Sequence, residues 1–425
     1  MNKAIENILN PIQIPDMGIV RQGFDKQSLG DIPGHIKTQF SKNWVKECVK
    51  ENLRIGITVG SRGISNLLEI VKALSQELKS LGAQPFILPS MGSHGGATAA
   101  GQKKILEELG ITEESTGAQV LSNMEVVNLG DSNGIPTYYD KIALSLDGVI
   151  VLNRIKAHTD LEGDIESGFQ KIIAVGLGNH KGALVVHEQG LNRSVPRIQS
   201  IAKKALEKGN ILFGVGVIEN AYDNVNDIVF VPRDKIIEQE PELLRKSKAL
   251  LPSFHFNDID VLVVDWIGKN ISGDGMDPNI IGRSMIGQKN KNIRINQIVT
   301  LAVTEESKGS GVGVGLSDVT TRRMADALDF EAMYINTITA IAIKGASLPI
   351  ALDSDRAAIQ LALKVASVGE DPLKSRMARI KDTLHMGEIW VSKAIFDEIA
   401  SKDNIEVVQE PKQMVFDDKG NLELM

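Results

Sequence analysis

The stretch that decides the fold is residues 54–91, RIGITVGSRGISNLLEIVKALSQELKSLGAQPFILPSM. Residues 54–60 are a run of mostly branched apolar residues, which predicts a buried strand. Residues 65–81 carry leucine and valine at helical spacing, and Gly82 follows as a helix stop. A second apolar run at 85–91 predicts another strand, and residues 97–109 predict another helix. This βαβα order predicts a parallel sheet with helices on both faces.

The same alternation continues to the end of the chain. Further strands are predicted at 148–155, 211–218, 259–267, 298–304 and 389–391, and further helices near 195–206, 234–250, 319–328 and 354–365. Proline, asparagine and aspartate in LPSFHFND indicate a domain boundary near residue 255. We therefore predict two α/β domains with mostly parallel sheets. The domains would be residues 1–255 and 256–425, with the cleft between them as the default ligand site.

Composition excludes several classes of protein. A formal charge of −7 and a pI near 5.6, without any basic block, argue against a nucleic-acid surface. The single cysteine, Cys48, can form no internal disulfide and belongs to no CxxC motif, so a reducing, cytoplasmic compartment is expected. The first residues are polar and interrupted by proline, and no apolar run approaches the ~20 residues of a spanning helix. Neither a signal peptide nor a membrane segment is expected.

Cationic side chains and histidines follow three of the predicted strands. Arg62 lies in VGSRG, where it could bind a phosphate or carboxylate through paired hydrogen bonds or form a surface salt bridge. His94 lies in MGSHGGAT, where Gly95 and Gly96 would let the backbone approach a ligand, although a histidine in a turn can simply be solvated. His158 follows the third strand. Because parallel strands end at one edge, the two histidines could form a general acid and base pair there.

The stretch after the third strand, NRIKAHTDLEGDIESGFQKIIAVGLGNHKGALVVHEQG at 153–190, holds further candidates. Its acidic run is expected to be mostly a solvated loop face, although Asp160 or Glu166 could orient a histidine. Lys171 lies among apolar residues and glycines, where a lysine must either reach solvent or be used. A desolvated lysine is a common covalent anchor. His187, 16 residues further on in ALVVH, is by itself expected to be a satisfied core histidine.

Together the segments SRG, SHGG, NRIKAHTDLEGDIESGFQK and VVHEQG resemble the nickel-dependent lactate racemase family, whose members carry a nickel-pincer nucleotide cofactor. The resemblance implies that Lys171 holds the pyridinium cofactor through a thioamide and that His187 is a nickel ligand. It also implies that His94 and His158 are the acid–base pair, and that Arg62 lies at the cofactor and substrate site. Lys269, in DWIGKNISG, resembles a family lysine that would bind the substrate carboxylate, with a solvated loop lysine as the alternative.

The activity implied by this resemblance is racemisation or epimerisation of a small 2-hydroxy acid. The Cα hydride would pass to the cofactor and return on the opposite face, so the chain would depend on cofactor biosynthesis proteins. Two departures concern the substrate. Val59 stands where the family commonly has an acid, and His158 and Lys171 are separated by 13 positions rather than by a shorter glycine-rich segment. Asp274, Asp277, Asn279 and Arg283 would suit a more polar hydroxy acid than lactate, such as a sugar acid.

A different function is suggested by GSGVGVG at 309–315. Glycine-rich turns let a backbone approach pyrophosphate, so an NAD-dependent oxidoreductase is an alternative, with Glu331 in range of a ribose. The spacing is not GxGxxG, and the glycines could instead form a tight loop before a helix led by Ser317 or Asp318. A non-catalytic nucleotide-binding paralogue is a third alternative. The sequence leaves the oligomeric state open.

Overall fold

The computed structural model describes residues 2–190, 193–289, 292–339 and 342–425, which divide into two compact units. The central unit is Asp25–Leu251, and the terminal unit combines Met1–Phe24 with Pro252–Met425. The sequence placed the first 24 residues with those of the central unit, but they do not lie in it. They belong to the terminal unit because a strand at Met17–Gln22 pairs antiparallel with two strands near the end of the chain.

The strands of the described residues are, in chain order, β1 (Met17–Gln22), β2 (Arg54–Val59), β3 (Gln84–Pro89), β4 (Gln119–Val120), β5 (Val126–Ser132), β6 (Ile135–Asp140), β7 (Gly148–Arg154), β8 (Ile211–Glu219), β9 (Val225–Pro232), β10 (Asp258–Ile267), β11 (Arg283–Ser284), β12 (Gly287–Gln288), β13 (Arg294–Val303), β14 (Val319–Thr321), β15 (Ile350–Leu352), β16 (Met377–Ile380), β17 (Glu388–Ser392) and β18 (Ile405–Lys412). The helices are α1 (Lys3–Leu9), α2 (Ile32–Phe40), α3 (Asn43–Cys48), α4 (Leu67–Ser80), α5 (Ala99–Glu108), α6 (Glu113–Thr116), α7 (Lys141–Ser145), α8 (Phe169–Lys171), α9 (Asn179–His187), α10 (Ser194–Lys208), α11 (Ile236–Ala249), α12 (Pro278–Ile281), α13 (Arg322–Asp326), α14 (Phe330–Thr339), α15 (Asp355–Ala366) and α16 (Lys393–Ile399). In the part of the chain that is described, no helix is both long and apolar enough to cross a membrane.

The central unit is built on a six-stranded sheet in the order β4-β3-β2-β7-β8-β9. All neighbours are parallel except β9, which runs antiparallel to β8. Alternate residues of β7 enter different cores: Ile150 and Leu152 pack with α4, whereas Val149 and Val151 pack with α10 and α11. Burial on both faces explains why these strands are continuous apolar runs. The predicted parallel sheet covered by helices on both sides is confirmed.

The terminal unit has an eight-stranded sheet in the order β15-β14-β13-β10-β16-β17-β1-β18. The first five strands are parallel, and the last three add antiparallel pairs. The longest parallel pair joins β10 and β13, where central pairs such as Leu262 with Ile298 and Val263 with Val299 are buried. Each unit is therefore an α/β assembly with a mostly parallel sheet, and the predicted fold class is confirmed.

The glycine-rich segment at 309–315 does not have the setting of a dinucleotide fingerprint. It leads through a short 3-10 turn, Val314–Leu316, into strand β14 instead of opening a helix. The helix expected over 319–328 was wrong at its start: Val319–Thr321 is a strand, and Thr321 rather than Ser317 or Asp318 caps α13. The glycines serve packing, because a Cβ at Gly313 would collide with the carbonyl of Asp274.

Candidate active site of the central unit

Three neighbouring strands of the central unit end at one edge of the sheet. They are β3, β2 and β7, and the loops that follow them carry His94, Arg62 and His158 respectively. Gly60, directly after β2, shows what lies against this edge: a Cβ there would be 3.7 Å from Cδ1 of Ile172. Because the carboxyl ends of parallel strands form the ligand edge of such sheets, the structure brings these three loops and the turn after Lys171 to one place.

The charges of this region act on one another. Partial desolvation by the surrounding chain lowers the pKa of His94 from its ordinary value, and the positive charges of Arg62 and Lys171 lower it further. Partial desolvation and then the charge of Lys171 lower the pKa of His187, whereas Asp160 opposes that shift. The candidates Arg62, His94, Lys171 and His187 therefore form one electrostatic neighbourhood in the central unit.

The helical turn that carries Lys171 begins next to the buried carboxylate of Glu240, which accepts a backbone N–H from it. The backbone N–H of Gln170 donates to Oε2 of Glu240 at 3.0 Å, and both side chains are 1% exposed. Gly168, just before α8, lies so close to Oε1 of Glu240 that a Cβ has no room. Burial raises the pKa of Glu240 to about 7, against these hydrogen bonds. Glu240 thus anchors the start of the Lys171 turn, where the free N–H groups of a helix favour an anion.

Lys171 is half-buried and makes no hydrogen bond or ion pair within the described ranges. Burial lowers the pKa of this amine to about 7, and the positive charge of Arg62 adds to the shift. Asp160 and Glu166 act in the opposite direction. A large fraction of the amine is therefore neutral near pH 7, which is the form that attacks an acyl group.

The loop that carries His158 is closed at its base by backbone hydrogen bonds and is held in shape by hydrogen bonds to Glu166 within it. Lys156 and Ser167 exchange two backbone hydrogen bonds of 3.0 and 3.1 Å. Within the loop, Oε2 of Glu166 accepts the backbone N–H of His158 at 2.6 Å, and Oε1 accepts from Nζ of Lys248 at 2.6 Å. Of the two possibilities that the sequence left open, a solvated face does not apply to Glu166, because Glu166 is 1% exposed and contacts a histidine, as the alternative predicted. It positions the backbone of His158.

The ring of His158 is oriented by the backbone that follows it. Its Nδ1 accepts the N–H groups of Asp160 at 3.0 Å and of Leu161 at 3.1 Å. A nitrogen that accepts two hydrogen bonds carries no proton, so the neutral ring holds its proton on Nε2. His158 therefore presents an N–H donor at Nε2, and adding a proton at Nδ1 would break both bonds.

The last residue of α9 is His187, which is exposed. The sequence expectation of a core histidine was wrong, because Val186 takes the buried position beside it.

The negative charge of Asp160 acts on the exposed ring of His187. Its Oδ2 accepts from Thr159 at 3.1 Å, whereas its buried Oδ1 has no hydrogen-bond partner within the described ranges. That oxygen can accept a hydrogen bond from a ligand.

His94 and Arg62 are both exposed, and Arg62 makes no ion pair with any described residue. The two predicted ligand glycines beside His94 differ. Gly95, at φ +68°, packs against the start of α5, where a Cβ would lie 2.5 Å from the backbone N of Gln102. Gly96, at φ +64°, has nothing within 4 Å of its missing Cβ. Only Gly96 therefore leaves room for a ligand to approach the backbone.

The remaining predicted site residues lie in the terminal unit. Lys269 follows β10, and its backbone N–H donates to Oγ of Ser307 at 2.9 Å. The polar residues expected to suit a sugar acid have structural partners: Arg283 binds Asp318 at 2.7 Å, and Asp277 caps α12. Neither side chain is left to recognise a substrate without giving up these bonds.

Sequence analysis missed Glu240 and Gln170. Glu240 lies in EQEPELL, where alternating charged residues are typical of an exposed helix face. The unusual feature nearby is Pro241, which lies inside α11 but does not predict that the neighbouring carboxylate is buried. Gln170 was passed over because only its charged neighbour, Lys171, looked out of place in an apolar run.

The described residues contain no group of three or more His, Cys, Asp or Glu side chains that could hold a metal ion by themselves. A metal at His187 could take its other donors from a bound organic group. The residues present fit such a group. They are the amine of Lys171, whose pKa is lowered to about 7, the exposed imidazole of His187, and the carboxylate oxygen of Asp160 that has no hydrogen-bond partner among the described residues. Imidazole is also a ligand that suits nickel.

No protein-family model and no curated protein matches the chain. Among solved structures, the chain is similar to the lactate racemase apoprotein from Thermoanaerobacterium thermosaccharolyticum. The identity is 12% and the TM-score 0.48, over 86% of this chain and 98% of that one. It is also similar to a structural-genomics protein from Thermotoga maritima, with 12% identity and a TM-score of 0.46 over 78% of this chain and 81% of that one. Both likenesses are distant.

Proposed function

We propose that the chain is an isomerase: a racemase or epimerase of a small 2-hydroxy acid that depends on a covalently held nickel-pincer nucleotide. The observation that carries the proposal is that the pKa of the Lys171 amine is lowered to about 7 at a place where its charge acts on both His187 and His94. The resemblance of the SRG, SHGG and GFQK segments to nickel-dependent lactate racemases supports it. Loading would require cofactor biosynthesis proteins as partners.

The cofactor would be held by two residues of the same helical stretch. The neutral amine of Lys171 is the nucleophile for a thioamide link, and the imidazole of His187 is the protein ligand for nickel. Asp160 supplies a negative charge that acts on both residues and an oxygen that can accept a hydrogen bond from a ligand hydroxyl. When bound, the group supplies a carbon centre that takes a hydride from the substrate Cα and returns it.

Proton transfer at the substrate hydroxyl falls to His94. Its lowered pKa keeps the ring neutral near pH 7, so a lone pair is available to accept the hydroxyl proton. The same lowering makes the protonated ring a ready acid for the return step. Arg62, exposed and without an ion pair in the described ranges, can bind the substrate carboxylate through two parallel hydrogen bonds.

His158 has a different part in this scheme from the one that the resemblance implies. Because its Nδ1 already accepts two backbone N–H groups, it offers the proton on Nε2 as a hydrogen-bond donor. We assign it to the substrate oxygen, which it holds and polarises while His94 moves the proton. The role of Lys269 stays a prediction from the resemblance.

The test of the reaction uses protein produced together with a cofactor biosynthesis system and a panel of 2-hydroxy acids deuterated at Cα. The panel includes lactate, larger aliphatic acids and sugar acids. We expect inversion of one panel member with the deuterium retained in the product, because the hydride never exchanges with water. Inversion with washout of deuterium into solvent would replace hydride transfer by simple proton abstraction. Net oxidation with added NAD and no inversion would favour the oxidoreductase.

A further inference from the structure

Lys171 and His187 are 16 residues apart on one run of helical turns. On a straight α-helix, residues at that separation would be about 24 Å apart along the axis and about 160° apart around it. They would then face opposite sides and could not serve one site. The run between them is not straight, however: a Cβ at Gly182 would lie 2.7 Å from the carbonyl oxygen of Ala174, whereas eight residues of a straight helix span about 12 Å.

Two irregularities produce the bend. Directly after Lys171, Ile172–Gly176 forms a wider π turn, in which the N–H of Leu177 donates to the carbonyl of Ile172 at 2.9 Å. Asn179, the first residue of α9, then has φ +51°, in the left-handed region. Such a turn adds a residue to the helix, and a left-handed residue redirects the chain that follows. Helix α9 therefore starts on a new axis.

Asn179 is tied to the neighbouring structure at this point. It is 0% exposed, and its Nδ2 donates to Oδ2 of Asp140 at 2.7 Å and to the carbonyl of Asn123 at 3.4 Å. Asp140 is itself fixed, since its Oδ1 accepts the N–H of Ala143 at the start of α7 at 2.8 Å. The bend is therefore anchored on β6 and α7, outside the run that it redirects.

Glycines around the bend allow backbone segments to approach more closely than a residue with a Cβ would permit. A Cβ at Gly182 would lie 2.7 Å from the carbonyl oxygen of Ala174, and Gly178 has even less room beside the same oxygen. The loop after β3 closes over it, because a Cβ at Gly92 would meet both Val175 and Ala183. The chain thus folds tightly around Ala174 in one arrangement.

We propose that Asn179 is a positioning residue, held by Asp140, that forms the joint turning Lys171 and His187 toward one site. Asparagine suits the joint for two reasons. It tolerates the left-handed region better than other residues with a Cβ, and its amide reaches the buried carboxylate. The roles of Lys171 and His187 come from the proposed function, but the joint is a property of the chain without cofactor.

The test measures a distance in the full chain without cofactor. Spin labels are placed at exposed positions, Leu184→Cys on α9 and Lys103→Cys on α5, in a Cys48→Ser background. We expect Asn179→Ala to shift and broaden the distance distribution between the labels. Asn179→Gly, which keeps the left-handed backbone but loses the bond to Asp140, should give a smaller shift and still fold.

Two controls separate the joint from general loss of stability. Asn133→Ala makes the same change at another asparagine, with φ +53°, in the exposed turn between β5 and β6, and should leave the distribution unchanged. Labels at Lys103→Cys and Glu207→Cys, neither on α9, should report no shift in any variant. An unchanged α9 distance in both Asn179→Gly and a folded Asn179→Ala would overturn the proposal.

A second readout connects the joint to the site. In protein loaded by a biosynthesis system, we expect Asn179→Ala to keep the covalent mass at Lys171 but to lose nickel at least tenfold faster than the wild type, and we expect the same of His187→Ala. Wild-type protein that acquires no adduct would contradict the proposed function and leave the distance result standing. Normal nickel retention by an Asn179→Ala variant with a displaced α9 would show that the joint does not serve His187.

Discussion

The backbone N–H of His158 donates to Oε2 of Glu166 at 2.6 Å, inside a loop whose ends are joined at Lys156 and Ser167. The side chain of Glu166 is 0% exposed, and its other oxygen accepts from Lys248. A partly buried backbone donor and a partly exposed ammonium therefore depend on one carboxylate. The orientation of the His158 ring depends on this loop as well, because Asp160 and Leu161 bind its Nδ1.

Replacing Glu166 should accordingly disturb both stability and the ring of His158. We expect Glu166→Ala to lower the free energy of unfolding by about 2 kcal/mol, because the partly buried N–H of His158 and the ammonium of Lys248 would both lose their acceptor. Glu166→Gln, which keeps one acceptor, should lose about half as much. Urea unfolding measures both values. The control Glu162→Ala changes an exposed residue of the same loop, and an equal loss in that variant would contradict the role of Glu166.

Glu240 should make stability depend on pH. Its pKa is raised to about 7 in the fold, above the ordinary value of an unfolded chain, so the folded state binds the extra proton between about pH 4.5 and 7. Its contribution is therefore lost as pH rises through this window, by on the order of 3 kcal/mol. We expect Glu240→Gln to remove the slope and to be more stable than wild type above pH 7. Glu242→Gln, at an exposed position of α11, should keep the slope.

Arg62 should control the proton affinity of its neighbours. Removing its charge in Arg62→Gln should raise the pKa of both Lys171 and His94, because a positive neighbour disfavours a second positive charge. The pH dependence of Lys171 acetylation in the cofactor-free protein, followed by peptide mass spectrometry, measures the first shift. Arg62→Lys keeps the charge and should keep the profile. A profile unchanged in Arg62→Gln would show that burial alone sets the pKa of Lys171.

The two histidines should respond differently to the same substitution. A glutamine can donate from its amide in place of Nε2–H but cannot act as a base. We therefore expect His158→Gln to keep a measurable fraction of kcat and His94→Gln to lose nearly all of it, on the order of 10³-fold. Steady-state rates with the substrate found in the panel provide the comparison. Equal losses of kcat in the two variants would instead support an acid–base pair in which both histidines transfer protons.

The sheets could be predicted from the sequence because buried parallel strands are uninterrupted apolar runs with little ambiguity. β2, β3, β7 and β8 all lie where such runs are, and their order explains why Arg62, His94 and His158 share an edge. The pairing of β1 with β17 and β18 could not be predicted, since a contact between the two ends of a chain leaves no local pattern.

The site itself was only partly visible in the sequence. Lys171 stood out because a lysine in an apolar segment conflicts with the cost of burying a charge. His187 was misplaced because helical periodicity cannot foresee a π turn or a left-handed Asn179, which together change the face that follows. Glu240 was hidden for the opposite reason: its neighbours are the charged residues of an exposed face, and only the packing of α11 on α8 buries it.

The covalent state of Lys171 tests the central claim most directly. Intact-mass and nickel analysis should be run on protein produced with a cofactor biosynthesis system, beside Lys171→Ala and a control, Lys181→Ala, at an exposed position of α9. The account predicts a nucleotide-sized mass increase with bound nickel in the wild type and in Lys181→Ala, and neither in Lys171→Ala. An unmodified wild-type chain without nickel, or an adduct that persists in Lys171→Ala, would contradict it.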